Sequence, residues 1–283
     1  MNGKSVSSIL AIMGLGLLIS ACAYDQEVAE VYETEADKRA ADPRNEKYRS
    51  GDIYSGYVAM TSQSRDMQDD DFSNPGFLWV DAGEELWGKV NGSNGKSCAS
   101  CHGSAEKSMK GVANKFPRYD PKTKKMIALQ AYLNRHMVND MGAKKWKWES
   151  KNMLAMAMYV KLQSRGMPIK TTINSQNKPF FVKGKKFFDQ PRGQLDMSCK
   201  ACHTDNAGNM ARSNVLSMGM PNGFPTYRLK WQKPGTLHRR FAGCNKNVRA
   251  KPYKRGSEEY TNLEFYMLQR AAGLTWETPS VRN

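Results

Sequence analysis

A mostly α-helical chain, built as two similar domains in tandem behind a polar N-terminal extension, is the fold that these 283 residues predict. Three observations carry the prediction. A Cys-x-x-Cys-His motif occurs twice, as Cys98-Ala-Ser-Cys101-His102 and as Cys199-Lys-Ala-Cys202-His203. Fifteen positions before each copy stands a glycine that leads an apolar pair: Gly83 with Leu86 and Trp87, and Gly184 with Phe187 and Phe188. After each copy comes a similar apolar segment closed by glycine, Met153 to Gly166 and Leu263 to Gly273. Each reads as an amphipathic helix started at a serine, Ser150 or Ser257, since serine is a favoured N-cap and glycine a favoured stop.

The first element is not part of the fold. A lysine at position 4, an apolar run from Ile9 to Ile19 and the small residues Ser20-Ala21-Cys22-Ala23 have the layout of a secretory signal peptide at residues 1–22, so the expected compartment is the periplasm. Two cleavage readings stay open. Ile19-Ser20-Ala21-Cys22 resembles a bacterial lipoprotein box, which would lipidate Cys22 and make it the chain's membrane anchor; Ala21-Cys22-Ala23 fits an A-x-A site that discards Cys22. No other stretch approaches the roughly 20 apolar residues that a spanning helix needs. Residues 23–75 follow as a polar extension with a charged helical stretch at 27–49.

Charge narrows the partners. A formal net charge of +16 attracts anions and acidic proteins at a steered rate, and export argues against nucleic acid as the target. The 17 methionines serve mainly as core filler, although methionine is also a ligand of haem iron.

C-x-x-C-H is the attachment site of a c-type haem: two thiols add across the vinyl groups, and the adjacent histidine reaches the iron. A thioredoxin-type or zinc site is the competing reading of one copy, but two copies in an exported chain, each ending in histidine, favour haem twice, with Cys98, Cys101, Cys199 and Cys202 as attachment points. Zinc would want both pairs converging on one ion. The domains are accordingly cytochrome c-like, at residues 76–170 and 171–283, joined near Pro168 to Pro179.

Iron held by His102 or His203 needs a ligand on its opposite side. In the first domain Met126 to Met137 has helical spacing, with Leu129, Leu133 and His136 on one face, which makes His136 the candidate and Met137 and Met141 its competitors. In the second domain His238 and Cys244 compete. His136 lies 30 residues before Gly166; Cys244 lies 29 before Gly273, and His238 lies 35. Cys244 is therefore the counterpart of His136, and it is the thiol left over once haem attachment and signal processing are counted. Arg239, Arg240, Lys246 and Arg249 surround it in sequence, a setting that favours thiolate and holds a small dianion beside it.

With these residues in view, the chain resembles the SoxA family of dihaem c-type cytochromes over residues 75–283. The resemblance rests on both haem motifs, Leu162-Gln-Ser-Arg-Gly-Met-Pro168, Arg240-Phe-Ala-Gly-Cys244 with Val248-Arg249-Ala250, and Arg270-Ala-Ala-Gly-Leu274. It implies an L-cysteine S-thiosulfotransferase that works with a SoxX-like monohaem subunit. Such an enzyme joins thiosulfate oxidatively to a cysteine of a SoxYZ-like carrier and passes two electrons through haem to a cytochrome acceptor. It further implies that Cys244 ligates the catalytic haem and carries a persulfide, that Arg240 lines the site, and that Arg270 matches a second active-site arginine. The sequence departs from the family pattern at His136, where well-described dihaem members have cysteine; a bis-histidine first haem has a higher potential than one ligated by an anionic thiolate. A plain dihaem electron carrier is the alternative reading, and a dihaem peroxidase, for which no motif is apparent, is a third.

Overall fold

The computed structural model describes residues 43–211 and 214–283. The expected signal peptide, Cys22 and the first part of the polar extension lie outside the described residues.

Each half of the chain is organised by one close crossing of two helices. In the first half, α2 (Phe77–Gly88) packs on α6 (Lys151–Leu162); in the second, α7 (Lys178–Asp189) packs on α9 (Glu258–Arg270). The leading glycine of each repeat sits at the crossing. A Cβ on Gly83 would stand 2.4 Å from Ala155 O, and one on Gly184 2.1 Å from Asn262 O, so only glycine lets the backbones approach this closely. The apolar pairs that follow, Leu86 with Trp87 and Phe187 with Phe188, then face the cores.

Both closing helices start where the serines predict. Ser150 Oγ accepts from Met153 N, and Ser257 Oγ accepts from Tyr260 N. Gly166 and Gly273 follow them in the left-handed region. The first of them, α6, is not the amphipathic helix that the periodicity suggested. Every residue of α6 from Met153 to Lys161 is buried, because α2 covers one side and the rest of the fold the other. The segments that leave the two helices pair antiparallel, with Ile169 N donating to Leu274 O (2.7 Å), Gly273 N to Ile169 O (3.0 Å) and Trp276 N to Met167 O (3.0 Å). A third cluster of Ile169, Leu268, Leu274 and Trp276 grows around this seam.

Between each haem motif and its closing helix lies a shorter helix of eleven residues: α5 (Leu129–Asn139) and α8 (Leu237–Asn247). The apolar run that the sequence reads as helix from Met126 begins as strand instead. Lys125–Ile127 (β4) pairs with Arg118–Asp120 (β3), and Ala128 is the extended N-cap of α5, since a short apolar run serves strand as well as helix. The linker also ends earlier than Pro179, which occupies the first turn of α7.

Of the extension, residues 43–75 are described, and the expected helical stretch at 27–49 lies mostly outside them. Pro43–Tyr48 is a 3-10 helix, Arg49–Ser50 (β1) pairs with Ile53–Tyr54 (β2), and Ser62–Asp69 forms α1. Tyr48, Tyr57, Val58 and Met60 make a small core of their own. The C-terminal strand Ser280–Arg282 (β9) is held against α1 through Gln68, which accepts from Val281 N at 3.0 Å, and β9 runs parallel to Thr226–Arg228 (β7), itself paired with Lys233–Gly235 (β8).

Candidate functional site

The first Cys-x-x-Cys-His motif is the short helix α3 (Cys98–His102). Ser97 and Ser100 form a reciprocal capping box, with Ser97 Oγ accepting from Ser100 N at 3.0 Å and Ser100 Oγ from Ser97 N at 3.1 Å, so one helical turn stands by itself. That turn directs both thiols and the histidine to one edge, where Cys101 is exposed and Cys98 half-buried. Trp87 Nε1 donates to Gly103 O (2.9 Å) and fixes the turn to α2.

Opposite His102 stands His136, with ring centroids 6.2 Å apart and planes nearly perpendicular. This spacing fits an iron between them: two metal–imidazole bonds of about 2 Å each, plus about 1 Å from each nitrogen to its ring centre, give roughly 6 Å. The competing sulfur ligands lie in the protein interior. Met137 and Met141 are buried in a cluster with Ala143, against Cys98 and Trp146, and Met137 Sδ accepts from Asn91 Nδ2 at 3.7 Å.

In the second half, Cys202 and His203 lie on a π-helical turn, Ala201–Asp205. The loop behind it holds the histidine. His203 Nδ1 donates to Ser217 O (2.8 Å), which leaves Nε2 for a metal, and a Cβ on Gly219 would meet His203 Cγ at 2.8 Å, so glycine alone allows the loop to lie on the ring. Cys244 stands across from this ring in hydrogen-bonding contact with it. It is the eighth residue of α8, as His136 is the eighth of α5, which gives the positional equivalence a structural basis. The first ligand pair therefore accommodates a metal between its rings.

Electrostatics single out Cys244. Burial pushes its thiol up, but the Arg240 guanidinium, the contact with His203 and the charge of Arg228 outweigh burial and bring it down to about 7. Cys199, by contrast, is pushed up to about 12 by burial and by the neighbouring Cys244, and Cys202 is raised by the same causes. Among the three cysteines of the second half, thiolate character is concentrated on Cys244.

Arg228 is a residue that the sequence reading missed. It comes from β7, and its guanidinium stacks on Trp231 (4.7 Å), which carries Arg239 within 4.1 Å of the same ring. Burial and the nearby Arg240 lower its pKa to about 10, and Arg228 and Arg240 both lie within electrostatic reach of Cys244. A single arginine 16 residues upstream in sequence leaves no local signal. Arg270 is bonded to the motif turn and the loop behind it: Nη1 donates to Met218 O (3.2 Å), Nη2 to His203 O (3.3 Å) and to Thr204 Oγ1 (3.2 Å). It braces the motif turn behind His203. His238 is buried and fully engaged, with Nδ1 accepting from Gly256 N (2.9 Å) and Nε2 donating to Glu264 Oε2 (3.0 Å). It has no nitrogen left for a metal. Arg249 closes an open basin of about 490 Å³ with Arg192, Gln194, Lys251 and Tyr253, a cationic concavity at the end of α8.

The sequence profile of the SoxA/TsdA cytochrome c domain matches twice, at residues 82–169 and 183–275. A curated relative from Paracoccus pantotrophus, the L-cysteine S-thiosulfotransferase subunit SoxA, is 40% identical over 97% of both chains. The protein of the same description from Pseudaminobacter salicylatoxidans is 38% identical over 86% of this chain and 85% of its own. Among solved structures, SoxXA from P. pantotrophus superposes with a TM-score of 0.79 at 43% identity, covering 82% of this chain and 87% of that one.

Proposed function

This chain belongs to the SoxA/TsdA cytochrome c family, and from that premise we propose that it is the catalytic subunit of an L-cysteine S-thiosulfotransferase, with Cys244 as its reactive group. The observation that carries the proposal is the setting of Cys244: a thiol facing His203, set among Arg240 and Arg228, and drawn toward thiolate near neutral pH. An electron carrier needs a ligand at that point but no converging guanidiniums. The family brings c-type haem; by the two motifs one haem would be held by Cys98, Cys101, His102 and His136, and a second by Cys199, Cys202, His203 and Cys244. When bound, each haem supplies a one-electron acceptor.

In the proposed reaction a carrier cysteine loses its S–H proton, an S–S bond forms to the sulfane sulfur of thiosulfate, and two electrons leave. Arg240, with Arg228 beside it, screens the dianion's charge and places its sulfane sulfur toward Cys244. Cys244 then acts by one of two routes. Either it forms the S–S bond to thiosulfate itself and hands the thiosulfonate group to the carrier by thiol–disulfide exchange, or it works through a persulfide sulfur. Arg270 keeps His203 in place by holding its carbonyl.

A SoxX-like monohaem subunit as partner accords with the superposition on SoxXA. A SoxYZ-like carrier, thiosulfate and a cytochrome acceptor complete the proposal, together with periplasmic residence after export and, if Cys22 is lipidated, a membrane anchor. The net charge of +16 suits acidic partners. The decisive experiment is Cys244→Met in the holoprotein with its partner, since methionine still ligates iron but forms neither persulfide nor mixed disulfide. Turnover with carrier and thiosulfate is expected to vanish, and peptide mass mapping of the wild type should find one added sulfur atom on Cys244. Full activity of the variant would leave the electron-carrier reading in place.

A further inference from the structure

His136 has a companion that Cys244 lacks. Its Nδ1 lies 2.5 Å from Asp140 Oδ2, four residues on along the same helix. Asp140 is the C-cap of α5, the end of a helix where a carboxylate is disfavoured by the backbone dipole. The residue at the C-cap of α8 is Val248, below a cysteine that has no N–H to donate. A carboxylate thus stands where the helix itself does not want one, and only in the half whose ligand is histidine.

The hydrogen bond settles which ring nitrogen is available. A proton on Nδ1 is donated to Asp140, so Nε2 is the nitrogen left facing His102, whose ring centre is 6.2 Å away. Tyr132 closes the edge of the ring at 4.7 Å. A carboxylate on the outer nitrogen of a ligating imidazole raises its basicity and holds its orientation.

We propose that Asp140 is a positioning residue of the first haem: through His136 it orients the second imidazole ligand and gives it partial imidazolate character, which favours ferric iron and lowers the potential of that centre. The pair offsets part of the rise in potential that exchanging a thiolate for a neutral imidazole brings. The inference rests on His136 being the ligand of the first haem.

Asp140→Asn keeps the shape and weakens the acceptor; Asp140→Glu keeps the acceptor. Spectroelectrochemical titration of the full-length holoprotein in complex with its monohaem partner, with low-spin ferric spectra recorded alongside, reads both ligation and potential. In Asp140→Asn the first haem is expected to become easier to reduce by about tenfold in its ferric-to-ferrous equilibrium, an upward shift of about 59 mV for one electron, with the second haem unmoved. Asp140→Glu should restore most of the shift. A bis-histidine first haem whose potential is the same in wild type and Asp140→Asn overturns the role of Asp140 alone. A wild-type spectrum lacking bis-histidine ligation overturns the ligation reading and this inference with it. A helix-stabilising ion pair without electronic effect would change only the melting temperature, which also counts against the proposal.

Discussion

At the scale of single residues, Cys244 and His136 show how one position in a repeated helix is put to two uses. Both are the eighth residue of an eleven-residue helix and both face the histidine of a haem motif. The difference lies in the neighbours: His136 has a carboxylate on its outer nitrogen, whereas Cys244 has Arg240 and Arg228 within electrostatic reach. If Arg240 screens the substrate dianion, Arg240→Met should lower kcat/KM for thiosulfate by about tenfold to a hundredfold, the worth of one charge-assisted hydrogen bond of about 1.5–3 kcal/mol, and mainly through KM. Steady-state kinetics at fixed ionic strength checks this, because added salt screens the same interaction.

At the scale of elements, the two helix crossings and the bonds between neighbouring helices set where the haem motifs stand. Gly184 lets α7 lie on α9; Gly184→Ala would force a Cβ to within 2.1 Å of Asn262 O, and overpacking of this kind costs about 1–3 kcal/mol, readable as a lower denaturation midpoint with unchanged denaturant slope. The helices α8 and α9 are tied by the buried pair His238 and Glu264. Burial works to raise the Glu264 carboxyl, but donation from His238 and the charge of Lys161 outweigh it and hold the carboxyl below its usual range. A depressed folded-state value means that this contribution is complete above the ordinary carboxylate pKa of about 4.3 and is lost as pH falls from there through the folded value. Equilibrium unfolding measured from pH 6 downward should show that decline, and Glu264→Gln should flatten it while lowering stability at neutral pH.

At the scale of the whole molecule, segments far apart in sequence meet at one buried carboxylate. Glu277 accepts from Arg282 Nη2 (2.5 Å), Asn222 Nδ2 (2.7 Å), Gln68 Nε2 (3.2 Å) and the Ser55 hydroxyl, so the extension, the loop after the second motif and the C-terminus share it. Glu277→Ala would strand the arginine with little solvent to replace its partner and is expected to cost about 3–5 kcal/mol. Thermal unfolding of the holoprotein measures the loss, and limited proteolysis should show the extension released first, because its own core is only Tyr48, Tyr57, Val58 and Met60.

How much of this was legible in the chain follows from the range of each interaction. The two Cys-x-x-Cys-His motifs, the glycine at each crossing and the serine start of each closing helix are local patterns, governed by the conformational limits of one or two residues; the sequence alone determined them. Counting from the closing glycines was enough to pair His136 with Cys244, because the repeat conserves spacing along helices. What only the tertiary structure decided are contacts across long stretches of chain: Arg228 beside Cys244, Arg270 bound behind His203, Ser217 as acceptor for the His203 ring, and the carboxylate of Glu277 joining three segments. Even the burial of α6 on every face was out of reach, since the neighbours that cover it are chosen by the packing of the whole chain and leave no period in its own residues.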